Sequence, residues 1–434
     1  MRHTSYSSYR PSEVEWLGDI PEHWQISRLR RVARLEAGEG ITSEEIDDAG
    51  DFPVFGGNGV RGFADRYTHE GEFVLIGRQG ALCGNVHLAR GKFWASEHAV
   101  VATPVDAVSA PWLCRVTDAM KLNQYSTAAA QPGLAVDRIS ALGVPLPPVD
   151  EQRAIAMFLE RETAKVDALI AKKHQLIERL AEYRTALITR TVTRGLPPDV
   201  AEAEGFDPSP RLKPSGVEWL GDVPDNWEVV ENRRIFRERD ERSDDGDGEL
   251  LTVSHITGVT RRSEKPDVGM FMAESLEDYK RCEGGDFIIN TMWAWMGAAG
   301  TAREPGLVSP SYNVYVPNHQ RLMPRFIDLA YRSSRYVLGM TSESRGIWNS
   351  RLRLYPQHFL SLVTAVPPLH EQEAIIAYVD AIETRMVRLS EAVGAAIERL
   401  QEYRTALTAA AVTGKIDVRD FGPAETVDTG ACAI

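Results

Sequence analysis

Cysteine is scarce in this chain. Its four cysteines, Cys83, Cys114, Cys282 and Cys432, are spread without any C-x-x-C spacing. Neither a zinc site nor a disulfide framework is indicated, and reduced, mostly buried thiols are expected. Long apolar runs are also missing: nothing approaches the roughly 18 consecutive apolar residues of a membrane-crossing helix. Residues 1–10 are polar and lack the apolar core of a signal peptide, so a cytoplasmic location is expected. Basic excess is absent too. The formal charge of −13 excludes a protein coated in positive surface and confines any nucleic-acid contact to local patches. There is no G-x-x-x-x-G-K-[ST] loop to cradle a nucleotide. Neither Pro-Pro pair belongs to an Asn/Asp-Pro-Pro-Tyr/Phe methyltransferase motif, because Val149-Asp150 and Leu369-His370 follow them. The histidines lack the i, i+4 spacing of a helical metal site. Catalysis has no evident home, and no metal or cofactor is expected in this chain.

What is present is a tandem duplication. The 434 residues, 43% hydrophobic and 26% charged, have the composition of soluble globular protein and the length of two or three domains. Pro11-Ser-Glu-Val-Glu-Trp-Leu-Gly-Asp-Ile-Pro-Glu-His-Trp24 returns as Pro214-Ser-Gly-Val-Glu-Trp-Leu-Gly-Asp-Val-Pro-Asp-Asn-Trp227, an offset of 203. Pro147-Pro-Val-Asp-Glu-Gln152 returns as Pro367-Pro-Leu-His-Glu-Gln372, and Glu182-Tyr-Arg-Thr-Ala-Leu187 as Glu402-Tyr-Arg-Thr-Ala-Leu407, both at an offset of 220. The segments between differ by 17 residues and share only isolated residues. The frame repeats while its contents diverge.

The divergent segments read as mixed globular structure, with strands at Phe73–Ile76, Ala99–Ala102 and Phe287–Ile289 bounded by Gly, Pro and Asn. The repeated tails are rich in Ala, Leu, Glu and Arg without internal proline, so each predicts one long helix, with Asp150 as a plausible N-cap, Glu151 and Glu371 near the helix start, and Gly195 and Gly414 beyond the far ends. A heptad seam runs through Leu159, Val166, Leu169, Leu176, Leu180, Tyr183 and Leu187 of the first, interrupted by Glu162 and Lys173, and through Val379, Ile382, Met386, Leu389, Val393, Ala396, Leu400, Tyr403 and Leu407 of the second. The seams are expected to pair with each other; the plainer alternative packs each on its own globular segment. A helix of roughly 40 residues spans about 60 Å, more than the about 34–36 Å of one DNA turn. The expected class is α+β, with two mixed α/β domains joined by two long helices in an antiparallel coiled coil as a pseudo-two-fold repeat. The expected boundaries are 1–149 and 196–368 for the domains with their linker, 150–195 and 369–414 for the helices, and 415–434 for a tail.

The nearest enzymatic signal is Pro266-Asp267 followed by Asp278-Tyr-Lys280, a loose match to nucleases whose carboxylates hold Mg²⁺; a solvated charged turn is preferred. Candidate nucleic-acid contacts lie in glycine-punctuated loops, where Arg, Lys, Asn, Gln and aromatic side chains reach base edges, against the alternative of ordinary turn chemistry. In the first half these are Asn58, Arg61, Arg78, Gln79 and Lys92. In the second they are Asn290, Trp293, Arg345, Asn349, Arg351 and Arg353. A basic cluster, Arg30, Arg31 and Arg34, recurs as Arg233, Arg234 and Arg237 and suits phosphate contacts or a plain solvated face.

Together these residues resemble the specificity subunits of type I restriction-modification systems, over about residues 11–415. The likeness rests on Glu15-Trp-Leu-Gly-Asp-Ile-Pro-Glu-His-Trp24, on Pro147-Pro-Val-Asp-Glu-Gln152 with its helix, and on both second copies. Phe52-Pro-Val-Phe-Gly-Gly-Asn-Gly59, Ile76-Gly-Arg-Gln-Gly80 and Met292-Trp-Ala-Trp-Met-Gly297 add to it, while His370 departs from the usual acidic or polar residue. The resemblance implies two target-recognition domains, each reading half of an asymmetric interrupted DNA site, with the helices as a ruler. It implies docking of two modification subunits that methylate adenine with S-adenosylmethionine, and of restriction subunits that use ATP and Mg²⁺. A stand-alone Mg²⁺ nuclease built on Asp267, Asp278 and Lys280, and a coiled-coil scaffold with no DNA role, are the alternatives.

Overall fold

The computed structural model describes residues 4–80, 82–126, 133–264, 275–346 and 352–421. Contacts gather into two units: Met1–Lys173 together with Gly394–Ile434, and His174–Val393. Both mix helices and sheets, as the α+β expectation requires.

The first unit is built on a six-stranded sheet in the order Ala33–Ala37, Ala99–Pro104, His69–Gly77, Val86–Ala95, Phe52–Gly56, Gly59–Ala64. All neighbours are antiparallel except Phe52–Gly56 against Val86–Ala95. Its apolar runs are continuous because both faces are covered. Val74, Ile76, Val100 and Ala102 join the cluster containing Trp112, Leu113 and Val116 of helix Ala110–Ala119, while Leu75 and Val101, pointing the other way, join Ala89 and Phe93. The second unit has a four-stranded antiparallel sheet, Phe236–Arg239, Tyr312–Pro317, Phe287–Asn290, Ala299–Thr301, with a hairpin of Leu251–Ser254 and Gly258–Arg261 beside it. Here Phe287 and Ile289 face one cluster and Ile288 another.

Around these unlike sheets an identical frame recurs. Tyr9–Pro11 pairs with Asp19–Pro21, and Leu212–Pro214 with Asp222–Pro224, in the same register. Gln25–Arg28 pairs with Gly143–Leu146, and Glu228–Glu231 with Val363–Val366. Each of these second ribbons joins the start of a variable segment to its end, so one strand obeys the 203 offset and the other the 220 offset. The extra residues are confined to the closed loop, where chain length costs little.

A long helix leaves each ribbon: Val149–Arg194 and Leu369–Val412. The first starts one residue ahead of the expected cap, so Asp150 sits in its first turn, still facing the positive end of the helix dipole. The repeated Glu-Gln pair is a clasp. Glu151 is buried and accepts the indole N–H of Trp24 at 3.0 Å, a bond from His23 at 2.9 Å and the hydroxyl of Tyr6. Glu371 accepts the indole of Trp227 at 2.9 Å and the amide of Asn226 at 3.0 Å. Gln152 donates to the Pro147 carbonyl and accepts the backbone N–H of Ser109, the N-cap of helix Ala110–Ala119. Gln372 donates to the Pro367 carbonyl and accepts the N–H of Met323, the N-cap of helix Pro324–Tyr331. His370, the family departure, stacks on Phe206 with ring centres 5.5 Å apart.

In the first unit the opening turns of the first long helix, Ala154–Leu159, share a core with Leu407–Val412 at the close of the second, and Asp167 pairs with Arg404 at 2.9 Å. In the second unit Val192 shares a core with Ile375 and Val379, and Arg184 pairs with Glu383. Both pairings are antiparallel. Leu159, Val166, Val379, Val393 and Leu407 are buried, and Leu180, Leu187, Ile382, Met386, Ala396 and Leu400 half-buried. Leu169, Leu176, Tyr183, Leu389 and Tyr403 are exposed, at 41–59%. The better covered stripe runs one residue further on, through half-buried Ile170, Ile177 and Ser390 and buried Ile397. It also carries Thr163, Lys173 and Arg404, polar side chains that an apolar count skips.

Candidate nucleic-acid interface

In the first unit the two glycine loops meet. Gly57 and Gly77 pass so close that a Cβ on Gly77 would stand 2.1 Å from the Gly57 carbonyl oxygen, an approach open only to residues without side chains. The backbone N–H of Arg78 bonds the His98 carbonyl at 2.8 Å, fixing the second loop against the strand that begins at Ala99. Asn58, Arg61, Gln79 and His98 consequently line one open cleft of about 480 Å³. Asn58 is held by the Asn85 amide at 2.6 Å, and Gln79 meets His98 at 3.3 Å. The guanidinium groups of Arg61 and Arg78 have no hydrogen bond or ion pair among the described residues. Amides and guanidinium groups in a shallow cleft are the equipment for reading purine edges. His98 belongs with them, and only its nearness in space shows it. Lys92 does not: it pairs with Glu70 in the ladder and its ammonium lies over Tyr67 at 4.8 Å, six ladder pairs, or about 20 Å, from the Ile76–Val86 end.

In the second unit Asn290 is buried at the end of its strand, bonding the Val253 carbonyl at 3.4 Å, and its backbone carbonyl opens the turn that carries Trp293. Its role is to hold that turn rather than to reach outward. Trp293 is 48% exposed, with its ring centre 6.0 Å from that of His255. Arg345 and Arg353 exchange backbone hydrogen bonds, and Leu354 binds the Thr291 carbonyl at 3.1 Å, which brings the arginine strand beside the tryptophan turn. Asn349 and Arg351 lie outside the described residues. The face combines an exposed indole with guanidinium groups, suited to stacking and to phosphate or guanine contact. The repeated basic cluster is exposed in both units.

The nuclease signal does not assemble among the described residues. Asp267 lies outside them, Lys280 is buried against Asp240 at 3.0 Å, and no group of three or more His, Cys, Asp or Glu side chains is placed to hold a metal. Cys83 and Cys282 are buried and Cys114 half-buried, all three as free thiols. Burial pushes Cys114 up to about 11 and Cys282 up to about 12, which marks them as unreactive packing residues; Cys432 lies outside the described residues. No helix among those described is long and apolar enough to cross a membrane.

Residues 21–179 match the type I restriction modification DNA specificity domain. The EcoprrI specificity subunit of Escherichia coli is 38% identical over 165 residues, spanning 37% of this chain and 41% of that protein. A putative type I specificity subunit of Haemophilus influenzae, S.HindORF215P, is 22% identical over 412 residues, spanning 90% of this chain and 93% of that one. The chain is thus similar to type I specificity subunits, most closely over the part that matches their DNA specificity domain. Its fold is shared with a solved chain from the type I R-M system, described in terms of complex assembly and conformational transition, at a TM-score of 0.56, 15% identity, and coverage of 92% and 99%. Specificity subunits are non-catalytic members of their systems. The repeated clasp of this chain is structural, and its two unlike sheets carry the candidate contacts.

Proposed function

We propose that this chain is a type I specificity subunit that reads a bipartite, asymmetric DNA site, one half with the cleft of Asn58, Arg61, Gln79 and His98 and the other with the face of Trp293, Arg345 and Arg353. The observation that carries this reading is the mounting of two unlike sheets on one repeated frame. Like readers would give a palindrome; unlike readers on like mounts give two different half-sites at a fixed separation. Exposed Leu169, Leu176, Tyr183 and Leu389 on the long helices support docking of modification subunits, since apolar side chains aligned on a helix favour a covering partner. S-adenosylmethionine, ATP and Mg²⁺ act in those partners and in restriction subunits, with the target adenine turned out of the duplex.

The test is single-molecule sequencing of N6-methyladenine in DNA from cells carrying this chain and its cognate modification subunit, against cells with the modification subunit alone. A bipartite motif that depends on this chain is the expected result. No new motif, with both proteins expressed and associated, overturns the reading.

A further inference from the structure

A second cleft, of about 680 Å³, lies within the second unit between its variable sheet and the long helices. Four arginines line it, Arg184, Arg303, Arg325 and Arg332, against three carboxylates. The carboxylates are already engaged. Asp380 and Glu383 both bind Arg325, at 2.7 and 2.5 Å, and Glu383 also binds Arg184. Asp328 accepts the backbone N–H of Thr301 at 2.6 Å, and burial raises its pKa, which weakens it as a counter-charge. The arginines are less completely matched. Arg332 directs one arm to the carbonyls of His255 and Ile256 and leaves a buried Nε without a partner among the described residues. Burial, the largest influence, presses its pKa downward; the charge of Asp328 opposes this and those of Arg184 and Arg325 add to it, and a bound anion would favour the charged form. Arg303 is exposed and its guanidinium has no ion pair or hydrogen bond among the described residues.

His255 ties this cleft to the base-reading face: it lines the cleft, and its ring stands 6.0 Å from Trp293. The matching place in the first unit is a smaller cleft, of about 360 Å³, with two arginines, Arg90 and Arg115, of which Arg90 is paired with Glu72. Counting from the clasped N-cap residues Ser109 and Met323, Pro111 and Cys114 stand where Arg325 and Asp328 do.

We propose that the cleft of Arg184, Arg303, Arg325 and Arg332 anchors a DNA backbone phosphate beside the second half-site reader, as a sequence-independent contact. The proposal rests on the DNA-reading function above. A phosphate suits it because guanidinium forks bind phosphate oxygens bidentately and the four guanidinium groups of the cleft outnumber its three carboxylates.

The experiment measures binding of the complex with its modification subunits to a duplex bearing the methylated motif and to one with the motif scrambled, by fluorescence anisotropy from 50 to 200 mM salt. Each lost phosphate contact removes about 0.9 from the slope of log K against log salt. Arg303→Gln is therefore expected to bind both duplexes more weakly, with its deficit shrinking about 3.5-fold between 50 and 200 mM, and to methylate the unchanged motif. Arg303→Lys is expected to recover the slope. An unaltered slope in Arg303→Gln, where the wild-type complex binds both duplexes steeply, overturns the anchor. So does a changed motif, which would make Arg303 a base reader, or loss of the modification subunits in size-exclusion chromatography, which would assign the cleft to an acidic protein partner. Absence of DNA binding by the wild-type complex instead overturns the function on which the anchor rests.

Discussion

Removing the carboxylate of the first clasp, Glu151→Ala, strands the indole N–H of Trp24 and the hydroxyl of Tyr6, whose side chains are 1% and 5% exposed. A buried donor left without a partner costs roughly 1–3 kcal/mol, so two cost roughly 2–6 kcal/mol. Relief of the burial of the carboxylate itself brings the net toward the lower half, about 3 kcal/mol. His23 is half-exposed and turns to water at little cost. At about 1.4 kcal/mol per tenfold, local opening of the helix start rises by roughly a hundredfold. Hydrogen–deuterium exchange, followed by mass spectrometry on peptides covering 149–165, reads that opening directly. Glu371→Ala strands one buried donor, the indole of Trp227, because Asn226 is exposed; exchange in peptides covering 369–385 is expected to rise only about tenfold. Trp24→Phe combined with Glu151→Ala should cost less than the sum of the two. Equal effects at the two clasps, or an increase below about fivefold for Glu151→Ala, would refute the reasoning.

Other consequences are open to measurement. Gly414 has φ +75° and a Cβ there would meet Pro21 at 2.3 Å, whereas Gly195 has φ +82° with nothing nearer than 3.5 Å. In urea unfolding, Gly195→Ala should cost about 1–2 kcal/mol of left-handed strain and Gly414→Ala a further 1–3 kcal/mol of overpacking. Gly77→Ala, colliding with the Gly57 carbonyl, should lower the melting temperature of the first unit by an amount equivalent to at least about 2 kcal/mol, and an unchanged melting curve would contradict the loop contact. Burial lowers the pKa of His87 and His69, both in the first unit. A histidine favoured neutral in the fold takes up its proton more readily when unfolded, so stability is fully present above the unfolded value of about 6.5 and falls as pH drops from there through the folded values. Acidification from pH 7.5 to 5.5 should lower the melting temperature of the first unit, and H87Q should lessen that drop.

The frame was legible because it repeats. Two offsets in one chain pointed to two mounts with unlike inserts, and the ribbons of Gln25–Arg28 with Gly143–Leu146 and Glu228–Glu231 with Val363–Val366 give those offsets their physical meaning. The seam was legible only at every second knob. Leu159, Val166, Val393 and Leu407 are buried, while the alternate positions chosen for their apolarity, Leu169, Leu176, Leu389 and Tyr403, are exposed. Hydrophobic counting favours a leucine over the lysine or threonine beside it, and it has no means of distinguishing a residue that faces the other helix from one that faces outward. The convergence of Asn58, Arg61 and Gln79 follows from loops flagged by glycine, but Lys92 and Asn290 share that signal and lie elsewhere. Pattern marks a turn; only pairing across the sheet tells which end of the strand it occupies. His98 gave no local signal at all.

The discontinuity of the first unit bears on how the chain is made. The apolar flank of its opening helix turns, Ala154 to Leu159, is completed by Leu407, Ala411, Val412, Ile416 and Val418, which leave the ribosome only after the 220 residues from His174 to Val393. At about 5–20 residues per second the wait is roughly 11–44 s. By its end the second unit, continuous in sequence, has every residue of its core available, so it can close while the first-made unit still waits for its last residues. An exposed helix flank during that interval is the place where a chaperone, or a second nascent copy, has its opportunity to bind.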